Sequence, residues 1–317
     1  MKVTEHIAKA NKTLFSFEIL PPLKGETIES IYDTLDPLME VNPPFIDVTY
    51  HREEVVYKRL KNGLVQPKTI RKRPGTVGIA AALKHKYNVD AVPHLICGGF
   101  SKEETENALI DLDFLGIENV LVLRGDPAKG EKKFIPTEGG HAYAIELLEQ
   151  VQNMNSGRYL DEELENSHAT DFCVGVAGYP EKHFESPNMK TDLQFLKQKV
   201  DAGADYIVTQ LFFNNEAFFS FEKACRQIGI QVPIIPGLKP LSTSKHLSLL
   251  PNFFHLDLPE DLTDAVMKAK SVEQIREIGI DWTVQQSKEL INHGVPCLHF
   301  YTMGRSRNIE KIVNQLA

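Results

Sequence analysis

Eight short runs of apolar and β-branched residues recur along the chain, and polar stretches separate them. The runs span residues 13–19, 45–50, 91–97, 119–125, 172–179, 205–213, 233–237 and 297–303. After the first run, Ile28, Ile31, Leu35 and Leu38 repeat with the spacing of an amphipathic helix. The pattern therefore predicts eight buried strands that alternate with helices.

A repeated turn supports this reading of the pattern. At Gly116, Gly203, Gly229 and Gly294 a helical run ends in glycine, an apolar residue follows, and a strand-like run begins soon afterwards. Glycine tolerates the left-handed conformation that ends a helix and redirects the chain. A repeated βα unit with eight strands predicts a single-domain (β/α)8 TIM barrel over residues 1–317.

A doubly wound open sheet is the alternative fold. Such sheets usually carry a glycine-rich phosphate turn after the first strand, whereas residues 21–25 here read Pro-Pro-Leu-Lys-Gly. Two stretches exceed the minimal barrel repeat. Residues 52–88 are long enough for two helices, and residues 153–171 form a polar, acidic segment that we expect to be a surface insertion.

Composition and charge exclude several classes of protein. The net charge of -8 argues against a nucleic-acid partner, because such proteins usually present a clustered Lys/Arg face. No apolar run approaches the ~20 residues that span a bilayer, and no signal peptide is evident, so a cytoplasmic protein without a membrane partner is expected. The four cysteines form no Cys-x-x-Cys pair, which predicts reduced thiols and no metal site.

Polar residues follow the predicted strands at their carboxyl ends, where a barrel holds its active site. Side-chain alternation assigns seven of them to the lumen: Glu18, Thr49, His94, Arg124, Asp126, Tyr179 and Gln210. On the fourth strand this assignment takes Val120, Val122, Arg124 and Asp126 as one face. A single such residue is usually structural, but charges inside strands are rare unless they are paired or used, so the set predicts a site.

Glu18 is the candidate general acid. Residues 17–22 are otherwise apolar, and an apolar wall disfavours the ionised form of a carboxyl group. A carboxyl that stays protonated near neutral pH can donate a proton to a substrate. The alternative is a structural carboxylate that pairs with Lys24 or Arg124, and the composition alone does not choose between the two.

Eight phrases in a fixed order resemble a known enzyme family. They are Phe15-Ser16-Phe17-Glu18-Ile19-Leu20-Pro21-Pro22, Asp47-Val48-Thr49-Tyr50, Pro93-His94-Leu95, Leu123-Arg124-Gly125-Asp126, Gly178-Tyr179-Pro180-Glu181-Lys182-His183, Asp201-Ala202-Gly203-Ala204-Asp205 with Thr209-Gln210-Leu211-Phe212-Phe213, Ile235-Pro236-Gly237, and His299-Phe300-Tyr301-Thr302. Together they resemble the methylenetetrahydrofolate reductases, which are FAD-dependent barrel enzymes, in their bacterial form. The resemblance runs from about residue 14 to the C-terminus.

The resemblance implies a reaction and three roles. NADH or NADPH reduces FAD and is replaced by 5,10-methylenetetrahydrofolate, which leaves as 5-methyltetrahydrofolate for methionine synthesis. Glu18 is then the general acid that protonates N10 of the folate. Asp126 is the carboxylate near flavin and pterin that stabilises a cationic intermediate, and Gln210 is the amide that recognises the pterin.

The resemblance also implies positions that contact FAD. They are Thr49, His94, Arg124, Asp126, Ala177, Tyr179, His183, Asp192, Lys199 and Val208. Two departures from the family pattern concern ligand binding. Gln198 stands where a basic residue often precedes Lys199, and Leu250 stands where some members place an aromatic substrate-binding side chain.

Further expectations follow from the resemblance alone. We expect a homo-oligomer, and we expect no regulatory domain of the kind that binds S-adenosylmethionine in eukaryotic members. The preference for NADH or NADPH stays open, because no ribose-reading acidic motif is available in the sequence.

Three rival functions compete with the reductase. A Schiff-base aldolase needs a lysine at a strand end, and the eight predicted strands supply none. A pterin methyltransferase on the same barrel is the second rival. A flavin- or folate-binding protein without turnover is the third, and Glu18 argues against it because simple binding needs no buried acid.

Overall fold

A computed structural model describes residues 1–128 and 130–316. The strands are β1 (Leu14–Ile19), β2 (Phe45–Val48), β3 (Glu54–Arg59), β4 (Val65–Ile70), β5 (Asp90–Ile96), β6 (Asn119–Leu123), β7 (Cys173–Gly178), β8 (Tyr206–Thr209), β9 (Ile234–Ile235), β10 (Gly237–Leu238) and β11 (Cys297–Tyr301). The α-helices are α1 (Val3–Lys9), α2 (Glu29–Leu35), α3 (Thr76–Tyr87), α4 (Lys102–Phe114), α5 (Ala144–Asn155), α6 (Met189–Asp201), α7 (Asn215–Gln227), α8 (His246–Phe254), α9 (Glu260–Lys268), α10 (Val272–His293) and α11 (Arg307–Val313). A 3-10 helix spans Asp36–Val41.

The main sheet is a closed parallel barrel. Its strand order is β10-β11-β1-β2-β5-β6-β7-β8-β9. Pro236 alone separates β9 from β10, and proline cannot donate a hydrogen bond to a neighbouring strand. The two short strands are therefore halves of one, which pairs with β8 through Ile234–Ile235 and with β11 through Gly237–Leu238. The predicted (β/α)8 barrel is confirmed.

The core has two layers on either side of the sheet. The lumen holds one set of buried side chains: Phe45, Val92, Leu121, Cys173, Tyr206, Val208, Ile235 and Cys297. A larger apolar layer, which includes Phe17, Val120 and Val176, lies between the strands and the helices. The lumen is thus packed, so ligands have room only at the ends of the strands.

Helix α1 closes the amino end of the barrel. Val3 joins the apolar cluster of the lumen, and its backbone N–H donates to Asn119 Oδ1, 2.8 Å away, at the start of β6. The His6 Nε2 atom lies 2.7 Å from Asp90 Oδ2 at the start of β5. The carboxyl end of the strands is therefore the open one.

The lumen face predicted for the fourth strand is wrong. Leu121 belongs to the lumen cluster, whereas Val120 and Val122 pack in the outer layer. Residues 120–123 are all apolar, so no alternation in the sequence distinguishes the two faces. The strand ends at Leu123 and Gly125 adopts a φ of 85°, so the residues that follow do not continue the alternation.

The two helices predicted within residues 52–88 are also wrong. The segment forms an antiparallel hairpin, β3–β4, followed by one helix, α3. Asn62-Gly63 makes the turn: Gly63 has a φ of 83°, and the Leu64 N–H donates to Asn62 Oδ1 at 3.2 Å. Asn-Gly between β-branched runs is a hairpin signal, and it outweighs the length of the segment.

The polar segment 153–171 begins inside α5, which extends through Asn155, and the rest carries no helix or strand. All four cysteines, Cys97, Cys173, Cys225 and Cys297, are free and buried. Within the described part of the chain, no helix has both the length and the apolar character needed to cross a membrane.

Candidate active site

Adjacent strands bring two carboxylates and two histidines together at the carboxyl end of the lumen. Glu18 on β1 is in register with Asp47 on β2. The His94 Nε2 atom on β5 lies 3.4 Å from Asp47 Oδ2 and 3.7 Å from Glu18 Oε2. On β11, the His299 Nε2 atom lies 4.0 Å from Glu18 Oε2, and its Nδ1 lies 2.9 Å from Ser16 Oγ. We call Glu18, Asp47, His94 and His299 the acid cluster.

Burial differs within the acid cluster. The Asp47 and His299 side chains are 1% and 0% exposed, whereas Glu18 is 12% exposed and is the carboxylate that a ligand can reach. Among the described residues, Asp47 Oδ1 and His299 Nε2 are buried without a hydrogen-bond partner. Glu18 thus lies beside histidines and pairs with neither Lys24 nor Arg124.

The environment of His94 favours its charged form. Burial alone would lower the pKa of His94, but the hydrogen bond to Asp47 and the negative charges of Glu18 and Asp47 outweigh burial, so the pKa is raised. An imidazolium between two carboxylates offsets the charge of both. Consequently, Glu18 can exchange a proton without leaving an uncompensated pair of negative charges.

A second group of side chains lies at the ends of β6 and β7. The Lys199 ammonium on α6 donates to the Ala177 carbonyl at 2.8 Å. Burial lowers the pKa of Lys199 to about 8, and the charge of Asp192 opposes this effect. Asp192 Oδ1 accepts from Ser186 Oγ at 2.7 Å, and its Oδ2 accepts from the His183 N–H at 3.1 Å. We call Arg124, Tyr179, His183, Asp192 and Lys199 the cationic wall.

Aromatic and charged contacts complete the cationic wall. The rings of Tyr179 and His183 meet edge to face with centroids 4.7 Å apart. Arg124 Nη1 donates to Glu185 Oε2 at 2.5 Å, and this contact lowers the pKa of the Glu185 carboxyl. Burial and the charge of Arg124 lower the pKa of His183, so its imidazole is neutral near pH 7.

The donor set of the cationic wall fits a cofactor that carries phosphates and rings. Arg124 offers a guanidinium that can bind phosphate oxygens in pairs, and Lys199 offers a point charge. Tyr179 and the neutral His183 offer ring surfaces beside them. The residues present therefore suit FAD, although Arg124 must exchange its contact with Glu185 for one with the cofactor.

The remaining predicted residues are distributed around the two groups. Thr49 Oγ1 donates to the Ile19 carbonyl at 3.1 Å, beside Glu18 on β1. Val208 is 4% exposed within the lumen cluster. The Gln210 amide oxygen accepts from the Leu211 N–H at 2.9 Å, just beyond β8. The charge of Asp126, which follows β6, acts on both His51 and Tyr179.

Leu250 and Gln198 lie apart from these groups. Leu250 on α8 is 4% exposed and packs with Leu211, Phe213 and Leu241 in an apolar cluster beneath the helix. It does not join the polar residues that surround the open end. Gln198 is exposed on α6.

Sequence reasoning missed Lys239. It directly follows β10, two residues beyond Gly237 and four beyond the lumen residue Ile235, so it shares their parity. The predicted strand stops at residue 237, one residue before the end of β10. The absence of a strand-end lysine therefore does not hold as an argument against a Schiff-base aldolase. His299 appeared in the sequence analysis only as part of a phrase of the resemblance, although it lies within the eighth predicted strand.

The family model and the curated relatives agree on one family. The model of the family described as methylenetetrahydrofolate reductase matches residues 2–317. Methylenetetrahydrofolate reductase (NADH) 1 of Arabidopsis thaliana is 34% identical over 98% of this chain and 49% of its own length. The 5,10-methylenetetrahydrofolate reductase of Pectobacterium carotovorum is 29% identical over 92% of this chain and 86% of its own length.

The chain spans about half the length of the plant and yeast relatives. A solved structure from Clostridium thermocellum, described as binding two copies of 5-methyl-5,6,7,8-tetrahydrofolic acid, superposes with a TM-score of 0.55 at 14% identity. The superposition covers 98% of this chain and 96% of the Clostridium thermocellum chain, and it supports the barrel fold. Since the family model matches nearly the whole sequence, the chain belongs to the methylenetetrahydrofolate reductase family.

Proposed function

We propose that the chain reduces 5,10-methylenetetrahydrofolate to 5-methyltetrahydrofolate with NADH or NADPH, using bound FAD. The observation that carries the proposal is the position of Glu18. It is the most accessible carboxylate of the acid cluster, and it lies at the end of the barrel where enzymes of this fold bind their substrates. The names of the relatives supply the reaction, and the geometry supplies a proton donor for it.

Glu18 donates the proton that opens the folate ring at N10. When it gives up this proton, its carboxylate lies 3.7 Å from the His94 imidazole, which favours the charged form. Asp47 holds His94 from the other side through a 3.4 Å contact. His94 therefore stabilises the conjugate base of Glu18, and so contributes to the acidity that the reaction requires.

Asp126 stabilises the positive charge that develops at N5 of the folate once N10 is protonated. Its carboxylate acts on groups on both sides of the open end, as expected for a residue between substrate and cofactor. Gln210, just beyond β8, recognises the pterin through its amide. Both roles rest on the family resemblance together with these positions.

The cationic wall holds FAD in this proposal. Arg124 and Lys199 bind its phosphates, and the rings of Tyr179 and His183 pack beside it. The remaining contacts come from the predicted positions at the neighbouring strand ends, which are Thr49, His94, Asp126, Ala177, Asp192 and Val208. FAD, when bound, supplies hydride transfer from NADH or NADPH to the folate.

An anaerobic titration of the FAD-reconstituted protein tests the proposal. NADH or NADPH should bleach the visible flavin band, and 5,10-methylenetetrahydrofolate should restore it. Bleaching without recovery would mean that the protein reduces its flavin but does not pass the electrons to the folate, and this result would overturn the folate step. A protein that binds both ligands but shows neither change would be a binding protein without turnover.

The comparison of the two nucleotides in that titration also decides the preference that the sequence leaves open. A homo-oligomer and a cytoplasmic location stay predictions from the resemblance and the composition. Sedimentation velocity of the FAD-loaded protein measures the first of these.

A further inference from the structure

Lys239 is a cation at the open end of the barrel that the proposed reaction does not use. Close packing fixes the backbone that carries it. The Gly237 N–H donates to Thr209 Oγ1 at 3.0 Å, and a Cβ atom at Gly237 would lie 2.6 Å from the Tyr301 hydroxyl. That hydroxyl donates to the Thr209 carbonyl at 2.6 Å. The strand end beneath Lys239 therefore has one arrangement. Leu238 pairs with Phe300 on β11, and the next residue of β11, Tyr301, pairs with Glu18, so Lys239 lies at the level of Glu18 with β11 between them.

The Lys239 ammonium has no acceptor of its own. Within residues 1–128 and 130–316, no group accepts a hydrogen bond from it and no carboxylate lies within the 4.0 Å of an ion pair. Burial lowers the pKa of Lys239 to about 8, while the charge of Glu18 opposes this effect and that of Arg305 adds to it. Lys239 is thus charged below about pH 8, and Glu18 is the carboxylate that favours its charge.

Groups from every neighbouring element face Glu18. They are Asp47 from β2, His51 after β2, His94 from β5, His299 and Tyr301 from β11, and Lys239 after β10. Burial and the charge of Arg73 lower the pKa of His51, and burial raises that of Tyr301, so both are neutral near pH 7. His246, beside Lys239, has its pKa lowered to about 4 by burial and by the lysine charge.

Two cations then compensate for negative charge around Glu18. The positive charge of His94 also stabilises Asp47, which is more deeply buried than Glu18 and closer to the imidazole. In the described part of the chain, Glu18 is the one carboxylate whose charge raises the pKa of Lys239. When Glu18 releases its proton beside Asp47, the additional negative charge is therefore stabilised by Lys239 as well as by His94.

We propose that Lys239 is a positioning residue that strengthens Glu18 as an acid through the charge of its ammonium group. The inference rests on the proposed role of Glu18 in folate reduction. The charge acts on the proton donor past the intervening strand β11, and it requires no contact between the lysine and the substrate.

The test compares Lys239→Met and Lys239→Gln, which remove the charge, with Lys239→Arg, which keeps it. Each FAD-loaded variant is reduced with dithionite and mixed with 5,10-methylenetetrahydrofolate in a stopped-flow instrument between pH 6 and 10. Without the ammonium, the ionised form of Glu18 loses the attraction of this positive charge. We expect both neutral variants to move the falling limb of the rate upward by about one pH unit and to slow the plateau several-fold.

Lys239→Arg should keep the wild-type limb, and reduction by NADH should be unchanged in all three variants. If the falling limb of the pH–rate profile stays in place in both neutral variants, Lys239 does not act on Glu18. A lower apparent affinity for the folate together with an unmoved limb would mean that Lys239 binds the substrate instead, and would also overturn the proposal. A wild-type protein that shows no reoxidation by the folate at any pH would instead overturn the reductase proposal on which the inference depends.

Discussion

The two sides of the open end of this barrel handle charge in opposite ways. In the acid cluster, Glu18 and Asp47 surround His94, and the polar groups are packed into the lumen with little solvent. In the cationic wall, Lys199 is held by a neutral carbonyl and Arg124 by a carboxylate near solvent. Under the proposed function this difference corresponds to two tasks, since the first side would hold and move a proton and the second would bind the cofactor phosphates.

Among these substitutions, Glu18→Gln should have the largest effect on the rate, because it removes the proposed proton donor of the acid cluster. The amide keeps the size of the side chain but cannot donate an acidic proton, so reoxidation of reduced flavin by 5,10-methylenetetrahydrofolate should slow by about 10³-fold. Reduction by NADH should be retained, because it needs no proton from this residue. Stopped-flow measurement of the two half-reactions separates these effects.

Glu29→Gln, at an exposed position at the start of α2, is the matched control for that substitution and should leave both half-reactions unchanged. Equal loss of both half-reactions in Glu18→Gln would point to damage of the cofactor site, and would contradict the division between the two sides.

Lys199→Met should break the cationic wall while sparing the acid cluster. The substitution removes a buried cation and its hydrogen bond to the Ala177 carbonyl, so FAD should bind about 10 to 100-fold more weakly. Titration of the apoprotein with FAD, followed by quenching of flavin fluorescence, gives the Kd.

Lys197→Met is the control on the same helix, since Lys197 pairs with Asp201 at the surface rather than with the barrel. It should leave the Kd within about twofold of the wild-type value. Equal weakening by both substitutions would mean that α6 acts through its overall charge, and that Lys199 has no specific place in the site.

His94→Gln tests the charge balance of the acid cluster through the pH dependence of the free energy of unfolding. The pKa of His94 is raised in the folded protein, so its contribution is complete below the unfolded pKa and is lost as pH rises through the folded one. Between pH 6 and 9 the wild type should therefore lose more unfolding free energy than the variant does. Urea unfolding of the FAD-free proteins measures this difference.

His85→Gln on the exposed face of α3 serves as the reference for that measurement, and it should follow the wild-type pH dependence. If His94→Gln also follows the wild type, the imidazole does not gain charge from Glu18 and Asp47, and the proposed stabilisation of the Glu18 carboxylate fails.

The sequence predicts the barrel well because its information is local and repeated. Glycine follows α4, α6, α7 and α10 at the same point of the repeat, and the buried strands stand out as apolar runs between polar stretches. Prediction from the sequence fails where the pattern of apolar and polar residues is uniform, or where a residue contacts a segment that is distant in the sequence. On β6 both faces are apolar, and β10 continues one residue beyond the predicted end of the strand at Gly237.

The candidate site divides in the same way. Parity alone brings Glu18 and His94 together, since β1, β2 and β5 are neighbours in the sheet and their alternation is clear. The contact of Lys199 with the end of β7, by contrast, depends on how α6 packs across the sheet. Nothing in the spacing of the helix indicates which of its lysines is buried, and only the resemblance singles out Lys199.

Glu185→Gln should have the smallest effect, and it sharpens the comparison because it loosens one side without removing a cation. The Arg124–Glu185 pair lies near solvent, where such pairs contribute about 0–1 kcal/mol, so unfolding free energy should change by less than about 0.5 kcal/mol. Arg124 would no longer have to leave a carboxylate to meet the cofactor phosphates, so FAD should bind a few-fold more tightly. The same fluorescence titration, run at low and at 0.3 M salt, should show the gain shrinking as the charges are screened. Weaker binding in the variant would mean that Glu185 holds Arg124 in its binding position rather than competing for it.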